Sequence, residues 1–209
     1  MTDILRIIFF GIIVRPILSF LIGLRVIGLE NFPQRHPFII IANHASHLDA
    51  MVVLNLFPLK DLKLIRPVAA ADYFNRNKMI SFLSKLFFNI LPIERKHITR
   101  DRNPLDHLRE ALTRGESLIV FPEGTRTTCG EIGPFHTGIA HIIKEFPKIP
   151  VIPVYMSNMG RALPKGELIL VPFIGEAKVG APLYPSGSKE EIMLILREEV
   201  IHLKGDSRW

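Results

Sequence analysis

Two short apolar runs, each followed at once by a polar motif, constrain the fold of this chain more than any other feature. The run Phe38-Ile39-Ile40-Ile41-Ala42 lies between Pro37 and Asn43, and Ser117-Leu118-Ile119-Val120-Phe121 is followed by Pro122. Runs of about four to eight residues that are apolar on both faces are typical of strands in the middle of a parallel sheet, because helices cover both sides of such a sheet. We therefore predict two buried strands, at 38–42 and 117–121.

The rest of the chain alternates between strand-like and helix-like segments. Apolar spacing and flanking turn residues predict helices at 48–57, 78–90, 104–114, 138–146 and 188–203, and further strands at 26–29, 64–70, 91–93, 151–155 and 168–173. The last helix has a capping-box pattern, with Ser188 before its first turn and Glu191 three residues later. This alternation predicts an α/β domain with a mainly parallel central sheet flanked by helices. Sites in such sheets tend to lie at the carboxyl ends of the strands.

The first 24 residues form an apolar segment that does not fit a simple membrane span. Arg6, Arg15 and Pro16 interrupt it, whereas a spanning helix needs about 20 predominantly apolar residues and tolerates a central arginine poorly. No small-x-small cleavage site of a signal peptide follows. We predict a membrane-associated arm in residues 1–24, with an interfacial pair of short helices at 4–14 and 16–24. The pair would lie in one leaflet, with its arginines reaching the headgroups.

Two alternatives for this arm remain open, namely a true transmembrane span and a helical arm packed on the protein's own core. In each case residues 25–209 are predicted to form the α/β domain.

Charge is unevenly distributed along the chain. The whole net formal charge of +6 falls between Lys60 and Arg102, and the remaining residues balance. This stretch is either a solubilising surface or one that attracts anionic groups such as lipid headgroups. We expect no nucleic-acid partner, because no basic run with interleaved aromatic residues is long enough to follow a strand. The single cysteine, Cys129, excludes a disulfide within the chain, and no convincing metal-ligand spacing appears.

The motif after the first apolar run is Asn43-His44-Ala45-Ser46-His47-Leu48-Asp49, with a histidine five residues before an aspartate. Histidine is the side chain most readily poised to take a proton near neutral pH. A carboxylate on its second ring nitrogen fixes the tautomer and stabilises the imidazolium that forms. His44 and Asp49 are therefore the candidate catalytic pair. Because no serine or cysteine lies in a nucleophile-elbow context, we expect the pair to activate a substrate hydroxyl rather than an enzyme side chain.

Other reactive residues near this motif have simpler interpretations. Ser46 is predicted to cap the helix that begins at Leu48, with a role as acyl nucleophile as the alternative. His47 is interpreted as a structural residue rather than a second base, and Cys129 as a residue without a chemical role.

The motif after the second run is Phe121-Pro122-Glu123-Gly124-Thr125-Arg126-Thr127. Glycine permits a close approach of the backbone to a ligand, and arginine offers a planar fork that suits phosphate or carboxylate. The hydroxyls of Thr125 and Thr127 add donors. This chemistry predicts an anion-binding turn, although a plain turn with a surface charge has the same composition.

Together, the two motifs resemble those of the glycerolipid acyltransferase superfamily, and within it the 1-acylglycerol-3-phosphate acyltransferase-like branch. Two weaker blocks also fit: Leu91-Pro92-Ile93-Glu94-Arg95 resembles a block whose arginine contacts phosphate, and Val151-Ile152-Pro153-Val154 resembles an apolar strand with a proline. The resemblance covers about residues 26–175. It implies transfer of an acyl group from acyl-CoA or acyl carrier protein to a lysolipid hydroxyl at a membrane surface, with no metal or other cofactor.

The same resemblance implies roles for individual residues. His44 would be the general base and Asp49 its orienting partner, while Arg95, Glu123, Gly124, Thr125 and Arg126 would bind the acceptor. It also implies phospholipid synthesis at the cytoplasmic face of the membrane. One departure bears on the acceptor: the family often has a lysine where His136 stands, which makes a phosphate-poor lysolipid such as a lyso-aminolipid an alternative. The motifs also leave open a thioesterase and a non-catalytic lipid-binding protein.

Overall fold

The structure is a computed structural model that describes residues 2–21, 23–46, 48–71, 82, 86–93, 103–127, 131–157 and 175–205. Within these ranges seven strands form one sheet in the order β1-β7-β6-β2-β5-β3-β4. The strands are β1 Arg25–Ile27, β2 Ile39–Ala42, β3 Ile65–Ala70, β4 Leu91–Ile93, β5 Ser117–Val120, β6 Val151–Ser157 and β7 Glu176–Val179.

Every strand pair is parallel except β6 with β7, so the predicted mainly parallel sheet is confirmed. The sequence pattern does not predict strand β7, because Glu176-Ala177-Lys178-Val179 contains no apolar run. Lys178 is nevertheless buried, and its ammonium group donates to the carbonyl oxygen of Leu203 at 2.9 Å. Its ammonium also lies 3.5 Å from Glu176 Oε1 on the same strand. A local pattern does not reveal the distant carbonyl that helps to compensate for burying this charge. The strand predicted at 168–173 lies outside the described residues.

Four helices beyond the N-terminal arm lie close to their predicted positions: α3 Asp49–Asn55, α4 Asp106–Thr113, α5 Gly138–Glu145 and α6 Lys189–Gly205. The capping box of α6 is confirmed in both directions. The Ser188 N–H donates to Glu191 Oε2 at 2.7 Å, and the Glu191 N–H donates to Ser188 Oγ at 3.1 Å. The helix predicted at 78–90 lies mostly outside the described residues, although residues 86–88 are helical.

Two hydrophobic cores fill the two sides of the sheet, which explains why β2 is apolar on both faces. Ile40 and Ala42 lie in the core shared with the arm and α3. Ile39 and Ile41, which point to the opposite face, lie in the core shared with α4, α5 and α6. The sheet is therefore covered by helices on both sides, as the sequence predicted.

The N-terminal arm is one helical segment rather than two helices separated by a break. It consists of α1 Thr2–Phe9, a π-helical turn Phe10–Val14 and α2 Arg15–Leu21. In the π turn the Arg15 N–H bonds to the carbonyl oxygen of Phe10, five residues earlier. Pro16, the second residue of α2, has no N–H to donate, and the altered hydrogen-bond pattern of the π turn just before it accommodates this loss. The proline displaces the hydrogen-bond pattern instead of ending the helix.

The arginines of the arm correct a second expectation, because both bind the protein rather than reaching outward to headgroups. Arg6 is 5% exposed, and its guanidinium contacts Asp3 Oδ1 at 3.1 Å and the Leu86 carbonyl oxygen at 3.3 Å. Arg15 Nη2 donates to the Phe57 carbonyl oxygen at 2.6 Å. Arg6 lies on the same line as Phe10, Val14 and Leu18, which are all buried, so it is on the side of the arm that faces the domain.

Candidate active site

The two motifs lie side by side because the strands that precede them are neighbours in the sheet. In the parallel register of β2 with β5, Ile41 pairs with Val120. The chain therefore leaves both strands at the same edge, with His44 following one strand and Glu123 following the other. This places the sequence-predicted catalytic and binding motifs at the carboxyl end of the sheet.

Asn43 anchors the start of the histidine loop. Its amide nitrogen donates to the Met156 carbonyl oxygen at 2.9 Å, and its amide oxygen accepts from the Met156 N–H at 2.7 Å. The side chain thus continues the pairing of β2 with β6 after the backbone has left the sheet. Asn43 is 4% exposed, and the sequence gives no sign of this buried role because the partner lies in a distant strand.

His44 and Asp49 form the predicted pair. His44 Nδ1 lies 2.8 Å from Asp49 Oδ2, and the aspartate side chain is fully buried while the histidine side chain is 24% exposed. The same carboxylate oxygen accepts from the N–H groups of Ala45 and Ser46, at 2.7 and 2.8 Å. A carboxylate on Nδ1 places the proton there and leaves Nε2 as the basic nitrogen. The pair therefore has the geometry of a general base and its orienting group.

Glu123 holds the backbone of His44. One oxygen, Oε1, accepts from the His44 N–H at 2.8 Å, and the other, Oε2, accepts from the Gly133 N–H at 3.0 Å. Glu123 is 4% exposed, so these two bonds stabilise a buried carboxylate. Its position links the second motif to the first, and its prediction as a residue that binds substrate stays a prediction.

Thr127 and Phe121 complete the enclosure of His44. The Thr127 N–H donates to the His44 carbonyl oxygen at 3.0 Å, so both backbone polar groups of the histidine are bound by the second motif. The Thr127 hydroxyl lies within hydrogen-bond distance of the carbonyl oxygens of His44 and Glu131. It is therefore a structural donor, contrary to its interpretation as part of an anion-binding turn. The Phe121 ring stacks on the imidazole, with centroids 4.4 Å apart and planes inclined by 24°.

Gly124, Thr125 and Arg126 form the turn at the outer edge of the site. Gly124 has φ of +71°, a conformation that favours glycine, and its N–H donates to the Phe121 carbonyl oxygen at 3.1 Å. Thr125 is exposed and Arg126 is half-buried. No hydrogen bond or ion pair joins the Arg126 guanidinium to another described residue. Arg95, His47 and Cys129 lie outside the described residues.

A cavity of about 400 Å³ adjoins the site. It is lined mainly by small and apolar side chains at the ends of β3, β4 and β5 and at the start of α5, and by Phe121, Gly124 and His136. Phe121, which lines the cavity, also stacks on His44, whereas His44 itself is not among the lining residues. A larger cleft of about 670 Å³ lies beside Phe38 at the opposite edge of the sheet, away from His44. Among the described residues no group of three or more His, Cys, Asp and Glu side chains is placed to hold a metal ion.

The mainly parallel α/β sheet, the His44–Asp49 pair and the adjoining Glu-Gly-Thr-Arg turn agree with the acyltransferase resemblance seen in the sequence. The chain belongs to the acyltransferase family, whose model matches residues 23–157. This confirms the resemblance inferred from the motifs.

Individual relatives make the comparison more specific. The chain is 29% identical over 173 residues to a chloroplastic 1-acyl-sn-glycerol-3-phosphate acyltransferase, BAT2 of Brassica napus, covering 79% of this chain and 46% of that protein. It is 25% identical over 190 residues to 1-acyl-sn-glycerol-3-phosphate acyltransferase alpha of Bos taurus, covering 88% of this chain and 63% of that protein. The chain thus spans between 46% and 63% of the length of these two relatives.

A solved structure shows the same fold. The crystal structure of the 1-acyl-sn-glycerophosphate acyltransferase PlsC from Thermotoga maritima matches with a TM-score of 0.72 and 24% identity, covering 94% of this chain and 78% of that chain. The match supports the fold class over nearly the whole chain.

Proposed function

We propose that the protein transfers a fatty acyl group from a thioester donor, acyl-CoA or acyl carrier protein, to the free hydroxyl of a lysophospholipid. The preferred acceptor in this proposal is 1-acylglycerol-3-phosphate, and the product is phosphatidic acid. The observation that carries the proposal is the 2.8 Å contact of His44 Nδ1 with buried Asp49, which leaves Nε2 as a base. Membership of the acyltransferase family and the names of the relatives supply the reaction class.

The mechanism is direct transfer with His44 as general base and then general acid. His44 Nε2 takes the proton of the acceptor hydroxyl as that oxygen attacks the thioester carbonyl carbon. The tetrahedral intermediate collapses with cleavage of the carbon–sulfur bond, and the proton passes from His44 to the departing sulfur. Asp49 stabilises the imidazolium between the two steps. Ester, thiol and enzyme are then the only products.

A covalent acyl-enzyme is not needed in this scheme. Ser46 is the serine nearest to His44 in the chain, but it is 1% exposed and its hydroxyl oxygen accepts from the Leu48 N–H at 3.2 Å. Ser46 thus bonds within the turn before α3 and is not the N-cap that the sequence predicted, because Leu48 holds that position and no side chain caps the helix. A buried, bonded hydroxyl is poorly accessible to a donor carbonyl.

Arg126, Thr125 and the Gly124 turn are the proposed binding site for the acceptor's phosphate, together with Arg95. The guanidinium is half-buried at the rim of the site, where a partial loss of solvent strengthens its attraction for an anion. The adjoining cavity gives room for part of the substrate beside Phe121. Positioning of both substrates in this way increases the rate in addition to the effect of the general base.

The arm is the proposed membrane-contact surface. Its outer residues are apolar and exposed, among them Ile4 at 63%, Ile12 at 70% and Phe20 at 88%. An exposed apolar patch of this kind is typical of an interaction surface, and acyl-chain substrates reside in membranes. None of the helices in the described part of the chain has the length and apolar character that a membrane crossing requires. We place the site at the cytoplasmic face, where thioester donors are available.

The test is acyl transfer by purified protein, with labelled acyl-CoA and lysophosphatidic acid in mixed micelles. His44→Ala is expected to reduce the kcat for phosphatidic acid formation about 10²–10⁴-fold. His202→Ala, which removes an exposed histidine on α6, is the matched control and should retain full activity. Full activity of His44→Ala would contradict the mechanism.

Two further measurements separate acyl transfer from the competing functions. Release of free fatty acid without dependence on added lysolipid would identify a thioesterase, and binding of lysolipid without turnover would identify a lipid-binding protein. A panel of lysolipids with and without phosphate tests the acceptor. Equal rates with a lyso-aminolipid would show that phosphate recognition is not part of the site.

A further inference from the structure

Arg197, on α6, binds the backbone of segment 131–137, which has no regular secondary structure. Its Nε donates to the Gly133 carbonyl oxygen at 3.0 Å, and its Nη2 donates to the Ile132 carbonyl oxygen at 3.1 Å. A planar guanidinium that binds two successive carbonyls fixes the orientation of that backbone as well as its position. Helix α6 thereby sets where Gly133 lies.

Gly133 in turn sets where Glu123 lies. The Gly133 N–H donates to Glu123 Oε2 at 3.0 Å, and Glu123 Oε1 accepts from the His44 N–H at 2.8 Å. The fit is close, because a Cβ at position 133 would lie 3.1 Å from Glu123 Oε2 and 3.3 Å from Thr127 Cγ2. Four groups therefore form a continuous series of hydrogen bonds from the guanidinium of Arg197 to the backbone of the catalytic histidine.

Other contacts dock the same segment on α6 and on the second motif. Ile132 is buried in a small cluster with Tyr155 and Val200, and the Thr127 hydroxyl donates to the Glu131 carbonyl oxygen at 2.8 Å. Apolar packing holds the segment down but leaves its rotation free, whereas the paired carbonyl bonds to Arg197 fix the direction of the Gly133 N–H. That direction decides whether Glu123 can bind Gly133 and His44 together.

We propose that Arg197 is a positioning residue for His44, acting through Gly133 and Glu123. This inference rests on the proposed acyl transfer with His44 as base. Small displacements of a catalytic group reduce kcat far more than they reduce substrate binding, because the reacting atoms must be aligned within a fraction of an ångström.

The first test is Arg197→Ala, measured by acyl transfer together with thermal unfolding. We expect kcat to fall about 10-fold or more while KM for both substrates stays within about 2-fold. Arg197→Lys should recover part of the loss, because an ammonium group can bind one of the two carbonyls. Arg109→Ala is the matched control, since Arg109 also makes two hydrogen bonds but binds Glu145 and Asp106 on the surface. A folded Arg197→Ala protein with wild-type kcat would overturn the proposal.

A double-mutant cycle with Glu123→Gln tests the route. A glutamine keeps one acceptor oxygen and cannot accept from both N–H groups. If Arg197 acts through Glu123, the second substitution adds little to the first, so the two effects on kcat are strongly non-additive. Additive losses would show that Arg197 acts by another route and would reject the proposed series of bonds. If Arg197→Ala does not fold, Arg197→Lys enters the cycle in its place.

A readout independent of turnover separates this inference from the proposed function. The ¹H–¹³C signal of the His44 Cε1–H group should shift in Arg197→Ala and remain unchanged in Arg109→Ala. A shift in a protein that proves unable to transfer acyl groups would retain the positioning role and reject the reaction. If the wild-type protein transfers acyl groups but the His44 signal does not shift in Arg197→Ala, the positioning role is rejected and the proposed reaction is retained.

Discussion

At the scale of single residues, one oxygen of Asp49 organises the loop that carries His44. It accepts hydrogen bonds from His44 Nδ1 and from two successive N–H groups, within a side chain that is fully buried. The loop is short enough that these three bonds define its path. The same oxygen that binds the imidazole of His44, the proposed base, therefore also holds the backbone that follows it.

Asp49→Asn tests this dual role. Because one oxygen makes all three contacts, an asparagine that keeps the two N–H groups bonded must place its amide oxygen there. That oxygen can still accept from Nδ1–H, but it carries no negative charge to stabilise the imidazolium that forms. We expect kcat to fall about 10²–10⁴-fold with acceptor KM little changed, measured as initial rates of acyl transfer. A large rise in acceptor KM with an unchanged kcat would show that Asp49 binds substrate instead of orienting the base.

At the scale of elements, α6 is held at its start by the capping box. The pKa of Glu191 is lowered, first because its carboxylate accepts from the Ser188 backbone N–H and second because of its contact with the Ser188 side chain. A carboxyl whose pKa is lower in the folded state stabilises that state above its unfolded pKa. The contribution is lost as the pH falls through the lowered value.

Glu191→Ala should therefore lower the Tm at pH 7 and have progressively less effect below the ordinary pKa of about 4.5. The measurement is thermal unfolding, monitored by circular dichroism, from pH 7 down to a pH below that ordinary pKa. Glu198→Ala, on an exposed turn further along α6, is the control and should show little of this pH dependence. If Glu191→Ala lowered the Tm by the same amount at the highest and lowest pH, the charge of the Glu191 carboxylate would not be involved.

At the scale of the whole molecule, the arm that we propose contacts the membrane packs against the domain that carries the candidate active site. The arm is bound to the domain by a buried line of residues, Arg6, Phe10, Val14 and Leu18. The four-residue spacing of this line exceeds the 3.6 residues of an α-helical turn, and the π turn at Phe10–Val14 absorbs the difference. Most of the large apolar side chains outside this line, among them Ile4, Ile12 and Phe20, are exposed.

Replacing two of these exposed residues tests the membrane proposal. Ile12→Ser with Phe20→Ser should reduce co-sedimentation with phospholipid vesicles about 10-fold or more, since burying one large apolar side chain contributes about 1.5–3 kcal/mol. The fold should remain intact because both side chains are exposed. Leu194→Ser, at a position on α6 that is 54% exposed, is the matched control. Unchanged vesicle binding by the double variant would remove the arm from the membrane-contact surface.

The sequence by itself determined the class of fold, the positions of most elements and the pairing of His44 with Asp49. Runs that are apolar on both faces predict buried parallel strands, and a histidine five residues before an aspartate predicts their pairing within one loop. Both patterns lie within short segments of the chain, and the strand or loop that each predicts lies within the same segment. The prediction of an arm in residues 1–24 separate from a domain in 25–209 stays a prediction.

Only the tertiary structure decided what surrounds the pair. Glu123 binds the backbone of His44 across 79 residues of chain, and the Asn43 amide binds Met156 across 113. The buried Lys178 of an unpredicted strand and the inward arginines of the arm also bind carbonyl groups far away in the sequence. A hydrogen bond between distant residues leaves no periodicity in either segment, because its partner is chosen by the folding of the chain as a whole.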